Sequence, residues 1–474
     1  MYRHHHNEKG SLIILTLVFG TLFVTLTSSL VGFVLVQKKL QFSKENREKA
    51  IHIAEAGLEY YKWRLAHYPQ DLQDGTNAAG PYVHEYTDPE TGTVGEFSLE
   101  VEGNSYCGQL SAVEIRSTGY TTAEPTLTRE IYAKYARPSV AEYAYILNSN
   151  VWAGNDREIF GRYHSNGGIR MDGTNYSSVT SALTNWFCTS SFGCSSAGET
   201  KPGIFGVGSG NELWKYPTPS IDFAGITLNL TAMKNAARNN GGIYLNPRGA
   251  GYHLVLKNNG SVDIYDVQST SYVWAYSNEL GWHRNYEIIN RQRFIENRII
   301  PAQCPIIFVE DNVWIDGVVS GKVTVVSANE NSPAISTRAI LSGNITYVNN
   351  SGVDGFTLVA EEDVLIPLQS PNIMTLSGIY IAQTGHFGRN HYTTTGTNEV
   401  PTSLDSYVKQ DLLTVQGTIV SNGREGTQWL CSSVYCSGYA ERENNYDRKL
   451  STSPPPLTPY TSDDFMFVEW REMN

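Results

Sequence analysis

Six cysteines are the residues of this 474-residue chain that are best able to form covalent or metal bonds: Cys107, Cys188, Cys194, Cys304, Cys431 and Cys436. Cys188 with Cys194, and Cys431 with Cys436, form two local pairs in loop-like sequence rich in Ser and Gly. An even number of cysteines in an exported chain favours disulfides. Neither pair has the C-x2-C spacing that four-cysteine zinc sites often use. We therefore predict two local disulfides, with a zinc site or buried free thiols as the alternatives.

A few polar residues could carry out catalysis or bind ions. His164, in the stretch YHSNGG, has the chemistry of a base or a metal ligand, but a histidine in a turn gives the same pattern. Glu361, Glu362 and Asp363 are adjacent acids that could bind calcium or form a solvated charged run. The sequence contains no H-E-x-x-H, G-x-S-x-G or Walker A motif, and the Gly-rich stretch 206–212 is predicted to be a flexible loop. We therefore expect no enzyme activity, no catalytic residue, no metal and no cofactor.

Aromatic residues give the remaining binding signal. Five tryptophans could stack on sugars, although core packing is the usual role of such side chains: Trp152, Trp186, Trp214, Trp282 and Trp429. A surface glycan or a protein is therefore a possible ligand, and the sequence does not identify it.

Composition narrows the class of protein. Charged residues make up only 17% of the chain, whereas Gly (42) and Tyr (29) are frequent, which is typical of an extracellular β-rich protein. The net charge of −12 argues against nucleic acid as a partner, because a general nucleic-acid binder has a basic surface.

The N-terminal region has the pattern of a membrane-spanning helix. Residues 11–36 carry no charged side chain. At about 1.5 Å per residue, this run is ~39 Å long, enough to cross a ~30 Å hydrocarbon core. It is too long for the apolar core of a secretory signal, and VLVQKK does not resemble a signal cleavage site.

The helical pattern continues beyond the apolar run. Residues 37–67 contain no Pro and a single Gly, Gly57, and Pro69 follows as a stop signal. Apolar residues recur at helical spacing at Ile51, Ala54, Leu58, Tyr61 and Leu65. We predict one continuous helix from about Ser11 to His67, half in the membrane and half packed on other protein. An ordinary membrane anchor followed by a short coiled-coil stalk is the alternative that fits the helical pattern equally well.

These residues resemble the type IV prepilins. The features are a short polar leader that ends at Gly10, an uncharged run that begins at Ser11, and an AEAGL-like motif. The motif residues are Ala54, Glu55, Ala56, Gly57 and Leu58. The N-terminal region is most similar to PilX-type minor pilins and the related K-type minor pseudopilins of type II secretion. The resemblance implies cleavage after Gly10 by prepilin peptidase and methylation of the new amino terminus at Ser11.

One departure from the major pilins is informative. They usually carry Glu at the fifth mature position, where this chain has Leu15. A carboxylate in hydrocarbon is costly unless it is paired, and in that family it is thought to pair with the amino terminus of a neighbouring subunit. The loss of this group favours a minor subunit at or near the filament end.

The positions of the charges conflict with this orientation. The leader has Arg3 and Lys9, whereas five basic residues follow the span: Lys38, Lys39, Lys44, Arg47 and Lys49. A simple positive-inside count would leave the large region in the cytoplasm. We still predict export, because long domains are translocated largely regardless of charge.

The rest of the chain is predicted to be β-rich, giving an α+β protein overall. Residues 69–137 contain three alternating runs, typical of a small antiparallel sheet that packs on the helix. Residues 138–474 contain short Val-, Ile- and Thr-rich runs joined by Gly, Asn, Asp and Ser turns. A right-handed β-helix, a solenoid of stacked strands, is the preferred fold and a β-sandwich is the alternative. Residues 453–460, SPPPLTPY, are predicted to be extended.

These features predict a domain order and a function. The order is a leader (1–10), a transmembrane and assembly helix (11–68), a pilin-like β module (69–137) and an exported β domain (138–474). We expect a non-enzymatic minor pilin, a single-pass membrane protein before assembly and part of an extracellular pilus afterwards. Its expected partners are other pilins, the pilus assembly machinery, prepilin peptidase and the membrane. The alternatives are a membrane-anchored polysaccharide-degrading β-helix enzyme and a permanently anchored surface adhesin.

Overall fold

The computed structural model describes residues 9–473 apart from residues 91, 228–229, 333–335 and 433. Residues 1–8 of the predicted leader lie outside the described residues. The chain forms two compact units. Unit 1 comprises Met1–Glu102, Val113–Lys134 and Glu469–Asn474, and unit 2 comprises Gly103–Ala112 and Tyr135–Val468. A long N-terminal helix followed by mostly β structure confirms the predicted α+β class.

The α-helices are α1 (Lys9–His67), α2 (Phe223–Thr227), α3 (Leu230–Asn239) and α4 (Arg448–Thr452). The strands are, in chain order, β1 (Tyr82–Asp88), β2 (Gly92–Tyr106), β3 (Gln109–Thr121), β4 (Glu124–Ala136), β5 (Tyr143–Leu147), β6 (Val151–Ala153), β7 (Glu158–Ile159), β8 (Arg162–Ser165), β9 (Ile169–Met171), β10 (Thr174–Asn175), β11 (Val179–Ser181), β12 (Asn185–Cys188), β13 (Glu199–Pro202), β14 (Ile204–Phe205), β15 (Trp214–Lys215), β16 (Ile243–Leu245), β17 (Tyr252–Leu256), β18 (Ser261–Ser277), β19 (Gly281–Ile299), β20 (Ile306–Val309), β21 (Val313–Val319), β22 (Lys322–Ser327), β23 (Ala339–Tyr347), β24 (Gly355–Ala360), β25 (Val364–Leu365), β26 (Ile373–Ala382), β27 (Phe387–Gly388), β28 (Lys409–Ser421), β29 (Gln428–Cys431), β30 (Val434–Asn445) and β31 (Met466–Met473).

Unit 1 combines α1 with a five-stranded sheet in the order β1-β2-β3-β4-β31. The last strand, β31, comes from the C-terminal end of the sequence and is not part of the predicted module at residues 69–137. The ion pair between Arg129 and Glu472, and Arg471 over the Tyr132 ring, join side chains of β4 and β31. Unit 2 is therefore inserted in the sequence between two neighbouring strands of this sheet.

The main feature of unit 2 is a ladder of ten parallel strands, in the spatial order β16-β20-β22-β24-β26-β28-β5-β8-β11-β15. Its strands carry an unbroken column of aligned residues that face the core: Ile243, Ile307, Val325, Leu358, Tyr380, Ile419, Tyr145, Tyr163, Val179 and Trp214. In-register alignment lets each side chain pack on the equivalent side chains of both neighbouring strands, which explains the wealth of Val, Ile and Tyr.

The ladder does not follow chain order. Of the ten strands in the ladder, β5 comes first in the sequence, yet it pairs with β28, so that Tyr145 lies opposite Ile419. Asparagines extend this junction: Asn148 Nδ2 donates to Asn422 Oδ1 at 2.7 Å, and Asn166 Nδ2 donates to Asn148 Oδ1 at 2.7 Å. After β15 the chain therefore returns to the opposite end of the ladder and begins again with β16.

The returning segment covers the outer face of the ladder. Met233, Ala236 and Ala237 of α3 belong to one buried cluster with Phe308 and Val326 of the ladder. Helix α4 contributes Leu450 to the same cluster. Both faces of this part of the ladder are thus buried, as expected for parallel strands.

Further strands complete unit 2. A second parallel set runs β17-β21-β23-β25-β27. Strands β18 and β19 form a long antiparallel hairpin whose inner side chains pack on this set; Trp314 of β21, for example, lies in a cluster with Val267 of β18. Residues 453–460 are mostly non-regular, and the Thr324 hydroxyl donates to the Pro456 carbonyl.

Candidate functional site

The first half of α1 has no protein partner within the described part of the chain. All described side chains between Leu12 and Val36 are exposed, and the helix is long and apolar enough to cross a membrane. Its threonines donate to carbonyls one turn earlier, as Thr16 does to Leu12 (3.0 Å) and Thr27 to Phe23 (2.8 Å). These bonds satisfy the hydroxyl groups inside the helix, which suits a hydrocarbon solvent. Leu15 is one of the exposed side chains.

The second half of α1 is buried against the sheet of unit 1. Four members of the predicted apolar stripe are in the core: Ala54, Leu58, Tyr61 and Leu65. Ile51 is only half-buried, and Ile53 takes a core position that the sequence pattern did not identify. The sheet therefore covers a face of α1 that is slightly rotated from the predicted one.

Small residues of the AEAGL motif set the distance between helix and sheet. A Cβ atom on Gly57 would lie 2.3 Å from Ser117 Oγ and 2.9 Å from the Phe97 ring. A Cβ atom on Gly119 of β3 would lie 2.3 Å from the Ala50 carbonyl oxygen and 2.5 Å from the Ala54 nitrogen. Helix and sheet can approach this closely only because both carry small residues here. Ala54, Gly57 and Leu58 are buried in this contact, and Glu55 and Ala56 lie at its margin.

The end of α1 is fixed by charged groups. Arg64 donates to Asp71 and lies 3.3 Å from Asp74, and the Tyr60 hydroxyl donates to Asp74 (2.9 Å). Burial alone would raise the pKa of Asp71, but hydrogen bonds from the Gln73 N–H and Arg64 outweigh it and hold that pKa below its ordinary value. This network fixes the polar loop that follows the helix.

The cysteines are all paired in disulfides. Cys188–Cys194 and Cys431–Cys436 are local pairs, and Cys107–Cys304 joins residues 197 positions apart within unit 2. The third pairing was not among our predictions. The Cys107 N–H also donates to the Gln303 carbonyl at 2.9 Å, so backbone and side chain hold the same contact.

The polar residues selected from the sequence have internal partners. His164 lies buried on β8, with Nδ1 2.8 Å from Thr180 Oγ1 and Nε2 3.0 Å from Asn166 Oδ1. Burial lowers its pKa, against the opposing effect of Asn166. Glu361 accepts the Asn329 N–H at 2.9 Å, and Asp363 pairs with His386 at 3.0 Å. These contacts orient backbone and neighbouring side chains, and they leave His164 and Asp363 little exposed to a substrate.

The five tryptophans occupy different environments. Trp186 is buried and Trp214 packs against the core, while Trp152 is exposed beneath the Arg170 guanidinium. Trp282 and Trp429 lie in one aromatic cluster, although they are far apart in the sequence. The structure therefore brings Trp282 and Trp429, two of the candidate sugar-stacking residues, into contact with the same Tyr276 ring.

Comparisons with known proteins add little to this geometry. No family model and no curated protein matches the chain. Among solved structures, the chain is similar to the crystal structure of the competence-associated pilin ComZ from Thermus thermophilus. The alignment covers 90% of this chain and 97% of the ComZ chain. The sequence identity is 11% and the TM-score is 0.27. A TM-score this low does not establish a shared fold.

Several residues that shape these sites gave only weak sequence signals. Gly119 and Gly95 face α1 across the sheet, and each is one glycine among many in a β-rich sequence. His391 and Tyr276, which complete the cluster around Trp282 and Trp429, are ordinary strand and loop residues by sequence. Only long-range pairing brings them together.

Proposed function

We propose that this chain is a non-enzymatic minor pilin of the PilX type, which is anchored by α1 before assembly and is then incorporated into a type IV pilus-like filament with other pilins. The observation that carries the proposal is the division of one continuous helix, Lys9–His67, into an exposed apolar half and a half buried on a sheet. An apolar surface of this length needs lipid before assembly and neighbouring helices afterwards.

Two features support a position at or near the filament end. Leu15 leaves no carboxylate to pair with the amino terminus of a neighbouring subunit. Unit 2 is much larger than unit 1, and a subunit this bulky would be difficult to repeat along a closely packed shaft. The large region would then be displayed outside the cell for contact with a surface.

We also propose that unit 2 is a β-helix. The support is the parallel ladder with its aligned core column, whereas a β-sandwich is built mainly from antiparallel strands. Gly378 and Gly417, at φ of +146° and +139°, lie opposite each other and let β26 and β28 change direction without breaking.

Mass spectrometry of the chain purified from its native membrane tests the processing step. We expect the mature chain to begin with N-methylated Ser11, and Gly10→Leu to retain the leader. Gly32→Leu, in the same helix where an added Cβ meets no atom within 4 Å, serves as the control and should be processed normally. A native chain that still begins at Met1 would refute processing.

Deletion of the gene separates filament assembly from simple adhesion. If the chain initiates or completes filament assembly, deletion of its gene should reduce the number of pili. A permanently anchored adhesin should instead leave filaments intact while attachment is lost. Glycan cleavage by the purified full chain would contradict the non-enzymatic part of the proposal.

A further inference from the structure

Four aromatic rings meet at the turn end of the hairpin β18–β19. The ring centroids of Tyr276 and Trp282 are 5.7 Å apart, and those of Tyr276 and Trp429 are 5.8 Å apart. His391 lies 5.6 Å from both Trp282 and Trp429. Trp282 is exposed and the other three rings are half-buried, so the group has both a fixed base and an open surface. We call these four residues the hairpin-end cluster.

The backbone holds these rings in place. Tyr276 and His391 exchange two N–H···O=C bonds of 2.9 Å, and the Trp429 indole N–H donates to the Arg389 carbonyl at 2.8 Å. The disulfide Cys431–Cys436 closes the hairpin β29–β30 directly after Trp429. A ligand would therefore meet rings that are already oriented, which lowers the entropy cost of binding.

Polar groups lie on and beside the ring surface. Neither the Tyr276 hydroxyl nor the Trp282 indole N–H has a hydrogen-bond partner within the described part of the chain. Glu279, in the turn between Tyr276 and Trp282, is 4.0 Å from His386 Nδ1. Two of the rings thus carry a polar group without a partner in the described chain, and Glu279 lies in the same turn.

We infer that the hairpin-end cluster binds a saccharide. A sugar ring has an apolar C–H face that stacks on aromatic rings and a rim of hydroxyl groups that need hydrogen-bond donors and acceptors. Trp282 supplies the exposed ring face, and the Tyr276 hydroxyl, the Trp282 N–H and the Glu279 carboxylate supply the polar contacts. A uniformly apolar partner would leave these polar groups without hydrogen bonds, which disfavours it.

The cluster deepens the proposed function by naming the class of surface ligand. It rests on that function only for its biological setting, because saccharide binding belongs to unit 2 and does not require processing at Gly10. If filaments form normally but the chain binds no saccharide, only the inference of saccharide binding is refuted. If the chain binds a saccharide but never enters filaments, only the pilin proposal is refuted.

The test uses the full chain in detergent, applied to a glycan array and then titrated with the best-bound soluble saccharide while tryptophan fluorescence is recorded. Trp282→Ala should weaken binding about tenfold, as expected for loss of one stacking ring. Tyr276→Phe should weaken it less, because only a hydroxyl is removed. Trp152→Ala is the matched control: Trp152 and Trp282 are both 38% exposed, and Trp152 lies outside the cluster.

Two results would overturn the inference. The first is an array on which the wild-type chain binds no saccharide, as expected if the exposed rings instead contact a protein partner. The second is binding that Trp282→Ala and Tyr276→Phe leave unchanged, or that Trp152→Ala weakens equally. Circular dichroism of each variant identifies any general loss of fold, and Tyr276→Phe, which adds no volume and removes no ring, keeps the test valid if Trp282→Ala misfolds.

Discussion

The cores of the two units are packed in opposite ways. In unit 1, Gly57 and Gly119 bring the backbone of a helix and the backbone of a sheet almost into contact. In unit 2, large side chains such as Tyr380, Ile419 and Tyr145 stack in an aligned column. The close contact in unit 1 leaves no room for added atoms. The column in unit 2 is stabilised by the contacts of its large side chains, so removing atoms there leaves a cavity. Unit 1 should therefore be sensitive to enlarged side chains, and unit 2 to truncated ones.

The largest expected effect is truncation at the junction between β28 and β5. Ile419 is 1% exposed in the core column, so Ile419→Ala should destabilise unit 2 by about 4 kcal/mol through lost burial and a cavity. Native-state hydrogen exchange of peptides from β28 and β5 measures this change. Ile373→Ala is the control, because Ile373 is 61% exposed on β26. Equal effects of the two substitutions would mean that the column does not carry the stability of unit 2.

Enlargement within unit 1 should have the next largest effect. Gly119→Ala places a Cβ atom against the backbone of Ala50 and Ala54, which cannot move aside as a side chain can, so we expect a loss of about 3 kcal/mol. Urea denaturation followed through hydrogen exchange of β3 and α1 peptides tests it. Gly426→Ala adds the same atom where no other atom lies within 4 Å and should be nearly neutral. A tolerated Gly119→Ala would refute the close-approach account.

The smallest of the three effects concerns pH. One carboxyl group in each unit should make the stability depend on pH, and the two dependences should have opposite signs. Burial raises the pKa of Glu287 in unit 2 to about 7, against hydrogen bonds from the Leu368 N–H and the Tyr392 hydroxyl that lower it. The folded chain then keeps a proton that the unfolded chain releases. The stability contributed by this carboxyl is therefore complete below its ordinary pKa of 4.5 and is lost as the pH rises towards 7. The lowered pKa of Asp71 in unit 1 acts in reverse, with stability lost as the pH falls.

Glu287→Gln separates this effect from those of other titrating groups. The wild type should lose about 2 kcal/mol of unit 2 stability between pH 4.5 and pH 7 relative to the Gln variant, which cannot titrate. Urea denaturation at the two pH values measures the difference. Asp71→Asn is the comparison in unit 1 and should remove a loss at low pH. Parallel pH profiles of wild type and Glu287→Gln would contradict the raised pKa.

Local patterns in the sequence predicted much of unit 1. The absence of Pro, the apolar run and the spacing of Ala54, Leu58, Tyr61 and Leu65 predicted one long helix. The resemblance to type IV prepilins then favoured a second half packed on a sheet over a coiled-coil stalk. These signals are local, because helical periodicity is written in neighbouring residues. The three alternating runs likewise predicted β2, β3 and β4 of the small sheet, but not β1, which lies in a polar stretch punctuated by Gly and Pro that is typical of a loop. They also did not predict that β4 pairs with β31, which is more than 300 residues away in sequence.

Long-range order in unit 2 could not be predicted in the same way. The pairing of β28 with β5 and the Cys107–Cys304 disulfide join residues with no local signal for each other. The Gly-rich stretch 206–212 was predicted to be a flexible loop, yet Gly206 and Gly208 lie so close to the carbonyls of Met171 and Gly173 that a Cβ would clash. Composition indicates that glycine is frequent, but only the paired backbone identifies which glycines are packed.

The late arrival of β31 has a consequence for the order in which the molecule matures. Polypeptides are made from the amino terminus, so α1 and β1–β4 are complete long before the residues of β31 exist. Until then β4 presents a bare edge, with unpaired N–H and C=O groups that attract other strands. The strand β31 therefore protects the edge of β4. A chain whose synthesis stops within unit 2 keeps this edge exposed and prone to aggregation, whereas a chain synthesised through Met473 can cover the edge with β31.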